Sequence, residues 1–285
     1  MFNSKKILSA LLAGVILLSG FTPVMANSVD TEDVGSLLKS VTTSSTHTSK
    51  FKDVTGPYTE AVEVLSSLGV INGYADGTYR PSQTITRSEL AKLLVEALGY
   101  GSIVQGMENV GKNVFDDTAN HWAKAHITIA HSLDLIKGDG NGKFRPDDIV
   151  TYNEAYTMIV RALGYTDGTV TGSWPYNYTI KASELGLMKG VNMSTEGADR
   201  GGVAQILYNA LEVPLVKLGV NGIVVTDYQS DGKTPKLLLD KIAKYTDDFY
   251  VSLDVLNPES KNYGGNKVDL SDYLYQTLTV YLDNN

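Results

Sequence analysis

Two arginines occupy positions that helix capping does not explain. Thr86-Arg87-Ser88-Glu89 has the frame of a capping box. Thr86 would accept from the backbone N–H of Glu89, and the Glu89 carboxylate would reach back to the Thr86 N–H. Arg87 then falls at the first helical position, where the positive end of the macrodipole mildly disfavours a cation. A helix start already offers free N–H groups to an anion. A guanidinium beside it can hold a carboxylate through two parallel bonds. Arg87 and Arg200, the latter in Ala198-Asp199-Arg200-Gly201-Gly202, therefore read as carboxylate clamps. The alternative is an ion pair with an acid of a neighbouring segment. Thr151-Tyr152-Asn153-Glu154 keeps the capping frame, but Tyr152 can only stack or donate one hydrogen bond. The three positions should rank Arg87, Arg200, Tyr152 in affinity for an acid. Gly201-Gly202 would leave the helix start at Arg200 loose, and an arginine exposed at a helix start should contribute little to folding. Trp122 and Trp174 either stack on a sugar face or belong to the core, since an indole offers apolar area and one donor.

Other polar clusters have simpler readings. Asp53 and Asp117 lead into helices and suit an N-cap or a loop-fixing hydrogen bond. The loops Gly73-Tyr74-Ala75-Asp76-Gly77 and Gly138 to Gly142 are turns, and their glycines could admit a ligand close to the backbone. Asp139-Gly140-Asn141-Gly142 starts like a calcium loop, but Lys143, Phe144 and Val150 fall where such a loop needs an oxygen ligand, glycine and glutamate. His121, His126 and His131 recur every five residues and so share no helical face. The chain has no cysteine, no G-x-S-x-G, no H-E-x-x-H and no P-loop. The residues point to no metal, no cofactor and no enzyme.

The elements that would carry these residues repeat. Phe51-Lys52-Asp53-Val54 returns as Phe115-Asp116-Asp117-Thr118, and Ile71-Asn72-Gly73 through Tyr79-Arg80-Pro81 returns as Ile136-Lys137-Gly138 through Phe144-Arg145-Pro146. Ala97-Leu98-Gly99-Tyr100 returns unchanged as Ala162-Leu163-Gly164-Tyr165. A shorter third copy aligns Leu185 to Gly190 and Ala198 to Gly202 without the aspartate–glycine loop. Each copy reads as helix, loop, helix. Leu90, Leu93, Leu94, Ala97 and Leu98 form one helical stripe, as do Ala155, Met158, Ile159, Ala162 and Leu163, and Val203, Ile206, Leu207, Ala210 and Leu211. Gly99 and Gly164 sit where a left-handed cap would end the helix. A unit of about 50 residues buries too little alone, so the three stripes should share one core, and residues 51–212 should fold cooperatively.

The chain begins like an export signal. Lys5 and Lys6 precede the apolar run Ile7 to Leu18, and Val24-Met25-Ala26 supplies small residues for cleavage. That run is too short to span a bilayer. Its removal takes two positive charges from a chain of net charge −8, leaving −10. Such a chain repels nucleic acid and anionic lipid, so neither nucleic acid nor, after cleavage, a membrane is an expected partner.

These motifs together resemble the S-layer homology family: F-x-D-V, then W-A-x-x-A-I, then G-x-I-x-G-Y-x-D-G-T-F-x-P, then I-T-R-A-E and a helix ending A-L-G. Repeat one has Pro57-Tyr58 in place of the tryptophan. Repeat two keeps His121-Trp122-Ala123 but has Tyr152 for the arginine. Repeat three keeps Trp174 and Arg200 but has Gly202 for the glutamate. The resemblance implies a mainly α, pseudo-threefold bundle with grooves between repeats. It implies binding of a secondary cell-wall polysaccharide bearing ketal-linked pyruvate, through the arginine and nearby aromatic and glycine positions. The ligand set would comprise Arg87, Arg200, Thr86, Glu89, Trp122, Trp174, Tyr152, Gly73, Tyr74, Asp76, Gly77, Asp53 and Asp117.

The expected organisation is a signal peptide over 1–26, a polar linker over 27–50, repeats over 51–113, 114–172 and 173–212, and a small α+β region over 213–285. In that tail, 223–225, 249–256 and 273–282 read as strands, Asp231-Gly232 as a turn, and 234–245 as a helix. The functional expectation is non-covalent anchoring to the wall of a bacterium with a Gram-positive type of envelope. Two rivals are a surface-lattice protein that assembles with itself or other S-layer proteins, and an enzyme whose activity lies in the tail.

Overall fold

The computed structural model describes residues 6–9, 15–19, 50–107, 113–193, 197–250 and 277–283. The fold is mainly α. Its helices are α1 (Thr59–Ser67), α2 (Arg87–Ala97), α3 (Gly101–Gly106), α4 (Lys124–Ser132), α5 (Tyr152–Ala162), α6 (Tyr176–Glu184) and α7 (Arg200–Ala210). The longer helices start where the sequence caps them. Thr86 and Thr151 each close a full capping box, with Glu89 and Glu154 returning the bond. Gly99 and Gly164 follow the ends of α2 and α5 with φ of 79° and 99°, the left-handed conformation that stops a helix cheaply only at glycine.

Each unit hands its second helix to the next unit. α2 packs on α4, α5 on α6, and α7 on α1, which closes the circle. The same rotation appears in the backbone just before those helices. The Ile85 N–H donates to Ala198 O at 3.0 Å, the Ala198 N–H to Val150 O at 2.8 Å, and the Val150 N–H to Ile85 O at 3.0 Å. Three hydrogen bonds thus form a ring about a pseudo-threefold axis. The three sequence stripes meet around it, with Leu90, Leu94, Ile159, Val203, Ile206 and Leu207 fully buried in one cluster. Residues 101–106, at the end of repeat one, form the short helix α3.

The tail begins without a break in packing. A hairpin of β3 (Val216–Leu218) and β4 (Val224–Thr226) bears out the strand expected near 223–225. Leu215, Leu238 and Leu239 join the repeat core, and the Val216 N–H donates to Leu163 O at 2.9 Å. The helix expected over 234–245 is not formed. A single 3₁₀ turn at Leu239–Lys241 leads into β5 (Ala243–Tyr250). Leu238, Leu239 and Ile242 are buried by a turn whose N–H groups bond locally and to Leu211 O, so no long helix is needed. β6 (Thr277–Asp283) covers most of the last expected strand. The remainder of the strand expected over 249–256, beyond Tyr250, lies outside the described residues. Lys6–Ser9 (β1) and Val15–Ser19 (β2) complete an antiparallel sheet of order β1-β2-β6-β5. In the intact chain the apolar start is therefore paired with the last strand. The linker of 27–50 lies outside the described residues apart from Lys50.

Candidate functional site

The loop between the two helices of each repeat is built around one aspartate. Asp53 accepts from the Tyr79 N–H at 2.7 Å and the Arg80 N–H at 2.8 Å. Asp117 does the same for Phe144 at 2.9 Å and Arg145 at 2.7 Å. Arg80 and Arg145 both take positive φ, 60° and 58°, a strained conformation for a non-glycine residue that the two bonds from one carboxylate offset. Burial would raise the Asp117 carboxyl, but the two N–H donors hold it below the usual value. Asp53 and Asp117 thus fix the loops. The loop glycines serve packing: a Cβ on Gly73 would lie 2.2 Å from the Phe51 ring, and Gly77 turns at φ 79°. Asp76 accepts from the Thr78 hydroxyl at 2.6 Å, the Thr78 N–H at 3.0 Å and Arg80 at 3.1 Å, and these bonds, the hydroxyl first, lower its pKa to about 2.

The clamped loops orient carbonyls toward the arginines. Arg87 is only 8% exposed. Its Nε donates to Phe144 O at 2.9 Å, one terminal nitrogen to Glu154 Oε1 at 2.6 Å, and the other to Lys137 O at 3.2 Å. The guanidinium also lies over the Phe144 ring at 4.7 Å. Burial lowers the Arg87 pKa, opposed by the Glu154 carboxylate. The expectation that this arginine is exposed and contributes little to folding is therefore overturned. It ties repeat one to repeat two, because its helix start is pressed against the neighbouring loop. Arg200 repeats the geometry one unit round. Its Nε donates to Tyr79 O at 2.9 Å and a terminal nitrogen to Asn72 O at 3.2 Å, with the Tyr79 and Tyr74 rings 4.6 Å and 5.1 Å away. Its partners are carbonyls and rings; among the described residues no carboxylate pairs with it.

Each arginine edges a groove to which all three units contribute. From Ile71 and Ile136 onward, each residue of repeat two lies 65 after its counterpart in repeat one, as Glu154 after Glu89. The groove of repeat two, about 480 Å³, is bounded by Lys137, Arg145, Glu154 and Arg161 of its own unit, Arg87 of the unit before, and Trp174 of the unit after. The groove of repeat one, about 140 Å³, has Asn72, Tyr79, Glu89 and Lys92, with Arg200 before and Trp122 after. Trp122 and Trp174 are 59% and 58% exposed, so neither is core. Trp174 is steadied by its Nε1 donating to Thr157 Oγ1 at 3.1 Å. The larger groove carries four cations against the carboxylates of Glu154 and Asp167, a local positive field in a chain of net charge −8.

Tyrosines take both edge positions of the third groove. Tyr152 stands in the arginine position, and its hydroxyl donates to Asp199 Oδ2 at 3.1 Å. Burial, with Asp199 next to it, pushes the Tyr152 pKa up. Tyr58 stands in the tryptophan position and accepts from the Asn192 N–H at 3.1 Å. Both rings press on the start of α7, where a Cβ on Gly201 would lie 2.3 Å from the Tyr58 ring and one on Gly202 2.3 Å from the Tyr152 hydroxyl. The start of α7 is not loose as expected. Asp199 caps it by accepting from the Gly202 N–H at 2.6 Å, and the glycines are there for close approach. The three histidines face different partners: His121 Asp147 at 3.2 Å, His126 Glu96 at 3.4 Å, and His131 the Phe115 ring at 5.2 Å.

Of the expected ligand residues, Arg87 and Trp174 meet at the larger groove and Arg200, Glu89 and Trp122 at the smaller, while Glu154, expected only as a helix cap, pairs with Arg87. Sequence reasoning did not specify the unit-to-unit rotation that does this. It missed Lys137, Arg145, Arg161, Asp167 and Tyr178. The first two were visible as loop positions of the repeat alignment, whereas the others carried no motif.

The fold and site define a pseudo-threefold repeat bundle with two basic, tryptophan-edged grooves and tyrosines at the corresponding positions of the third. Residues 50–91 and 114–155 match the S-layer homology domain. The chain thus carries S-layer homology sequence in its first two units, and its relatives include cell-surface and cell-wall proteins as well as proteins named exoglucanase and amylopullulanase. It is 35% identical to a cell surface protein of Thermoanaerobacter kivui over 82% of this chain and 31% of that one. It is 36% identical to the middle cell wall protein of Brevibacillus brevis over 66% of this chain and 17% of that one. A cellulosome-anchoring protein of Acetivibrio thermocellus is 32% identical over 36% of this chain and 23% of its own. The chain spans about a third or less of the length of these relatives.

Proposed function

We propose that this chain anchors an exported protein non-covalently to the bacterial cell wall by binding an acidic secondary wall polysaccharide, its acid being a ketal-linked pyruvate. The observation that carries the reading is the larger groove. Four cations surround a cavity of about 480 Å³ with an exposed indole at its edge. Carboxylate recognition by guanidinium and sugar stacking on indole are the two chemistries a pyruvylated sugar requires. Arg87 keeps two of its five N–H donors beyond the three already engaged. The α6–α7 unit acts as a third S-layer homology repeat, a reading supported by the closed ring of hydrogen bonds through Ala198. Relatives named for the cell surface, the cell wall and cellulosome anchoring agree with this role. The protein is not itself an enzyme on this reading. Glu154, the carboxylate best placed in the groove, is occupied by the α5 cap and by Arg87. Export by a cleaved signal ending near Ala26 and a Gram-positive type of envelope belong to the same proposal.

The test is co-sedimentation of the mature protein with purified walls before and after chemical removal of the non-peptidoglycan polymer. Binding should be lost with the polymer and should fall at least tenfold in Trp174→Ala. Equal binding to stripped walls would overturn the proposal.

A further inference from the structure

The larger groove does not end at Arg161. A second cavity of about 340 Å³ opens beyond it, and Lys137, Arg161 and Asp167 form the wall that the two share. The wall is tied at one carboxylate. Asp167 accepts from Arg161 at 2.7 Å and from the Tyr178 hydroxyl at 2.6 Å, and it pairs with Lys137. Burial would raise the Asp167 carboxyl, but these donors hold it well below the usual carboxylate range. The far side of the second cavity adds Asp134, Tyr165 and Thr166. Donors, acceptors and one aromatic ring therefore line a single compartment, with carboxylates on two sides of it.

We infer that this second cavity is a saccharide subsite, taking the neutral sugar that adjoins the acidic one in the polymer. Carboxylates of Asp134 and Asp167 repel a second anion but accept from sugar hydroxyls, while Lys137 and Arg161 donate to sugar oxygens. A polymer presents two adjoining units, and two contiguous cavities can hold them with the Lys137–Asp167–Arg161 wall touching both. The smaller groove has Asn72, Glu96 and Ser102 at the three corresponding positions, so it cannot build this wall. The two open grooves then differ in how long a stretch of polymer each reads. The inference rests on the acidic-polysaccharide reading above.

Gly168 borders the second cavity, has ordinary φ, and a Cβ there meets nothing nearer than Thr166 Oγ1 at 3.8 Å. Gly168→Phe should fill the space without disturbing the fold, which an unchanged melting temperature would verify. The probes are a ketal-pyruvylated hexose methyl glycoside and the disaccharide that extends it by one neutral sugar. Titration calorimetry is done in a Trp122→Ala background, which removes the stacking face of the smaller groove. The disaccharide should bind about tenfold tighter than the monosaccharide, and Gly168→Phe should abolish that difference while leaving the monosaccharide unchanged. Equal affinity for the two probes, or a difference that survives Gly168→Phe, would overturn the subsite and leave the groove reading standing. Failure of both probes to bind would overturn the groove reading and the subsite with it.

Discussion

Replacing Arg87 by alanine should cost stability first. The side chain is almost wholly buried and makes three hydrogen bonds across the boundary between repeats one and two. Removing one partner of a buried ion pair costs about 3–5 kcal/mol. Here Glu154 keeps its bonds from the Thr151 N–H and hydroxyl at 2.9 Å each and is partly exposed, so the loss lies at the lower end, about 3 kcal/mol. The carbonyls of Phe144 and Lys137 lose a charged donor as well, which is included in that figure because such bonds contribute about 1.5–3 kcal/mol each and are not additive. For a cooperative unit of this size, 1 kcal/mol shifts the melting temperature by about 2–4 °C. Arg87→Ala should therefore melt about 6–12 °C below the parent in differential scanning calorimetry. Arg87→Lys should recover part, since it keeps the charge facing Glu154 but not the fork. Arg200→Ala should lose less than half as much, because it gives up carbonyl partners only. A melting temperature for Arg87→Ala within about 2 °C of the parent would refute the view that this arginine is a structural tie. Any binding measured for the variant has to be read at a temperature where it remains folded.

Three further outcomes concern the packing and the titrating groups. Gly202→Ala should destabilise, since forcing a Cβ against the Tyr152 hydroxyl is overpacking at about 1–3 kcal/mol, more than the helix propensity of about 1 kcal/mol that alanine adds; in a Tyr152→Ala background the same change should instead stabilise, and chemical denaturation of the four proteins checks the reversal. His126 is kept toward the neutral form by burial, opposed by Glu96, so its folded pKa lies below the unfolded value; its contribution is present above about pH 6.5 and is lost as pH falls, and the decline in melting temperature between pH 6.5 and 5 should be shallower in His126→Gln. Loss of stability carried by the depressed carboxylates of Asp76, Asp117 and Asp167 sets in only below about pH 4.

The sequence by itself determined where α2 and α5 start and stop. Capping at Thr86 and Thr151, and the left-handed glycines 99 and 164, are local chemistry, decided within four or five residues and therefore legible in one dimension. The shared core was legible too, because three stripes of the same period admit few arrangements. Tertiary structure alone decided which unit each side chain serves. Arg87 belongs to the loop of repeat two and Arg200 to the loop of repeat one, since the bundle rotates every helix start onto its neighbour. That rotation buries Arg87, leaves both tryptophans at groove edges, and turns Gly201-Gly202 from a weak helix start into the seat of two tyrosines. None of this is encoded by spacing, because the partners lie 50 to 134 residues apart and their approach depends on how whole helices pack. The wall of Lys137, Arg161 and Asp167 is the extreme case. Each residue alone is an ordinary surface charge, and only the fold sets them around one carboxylate.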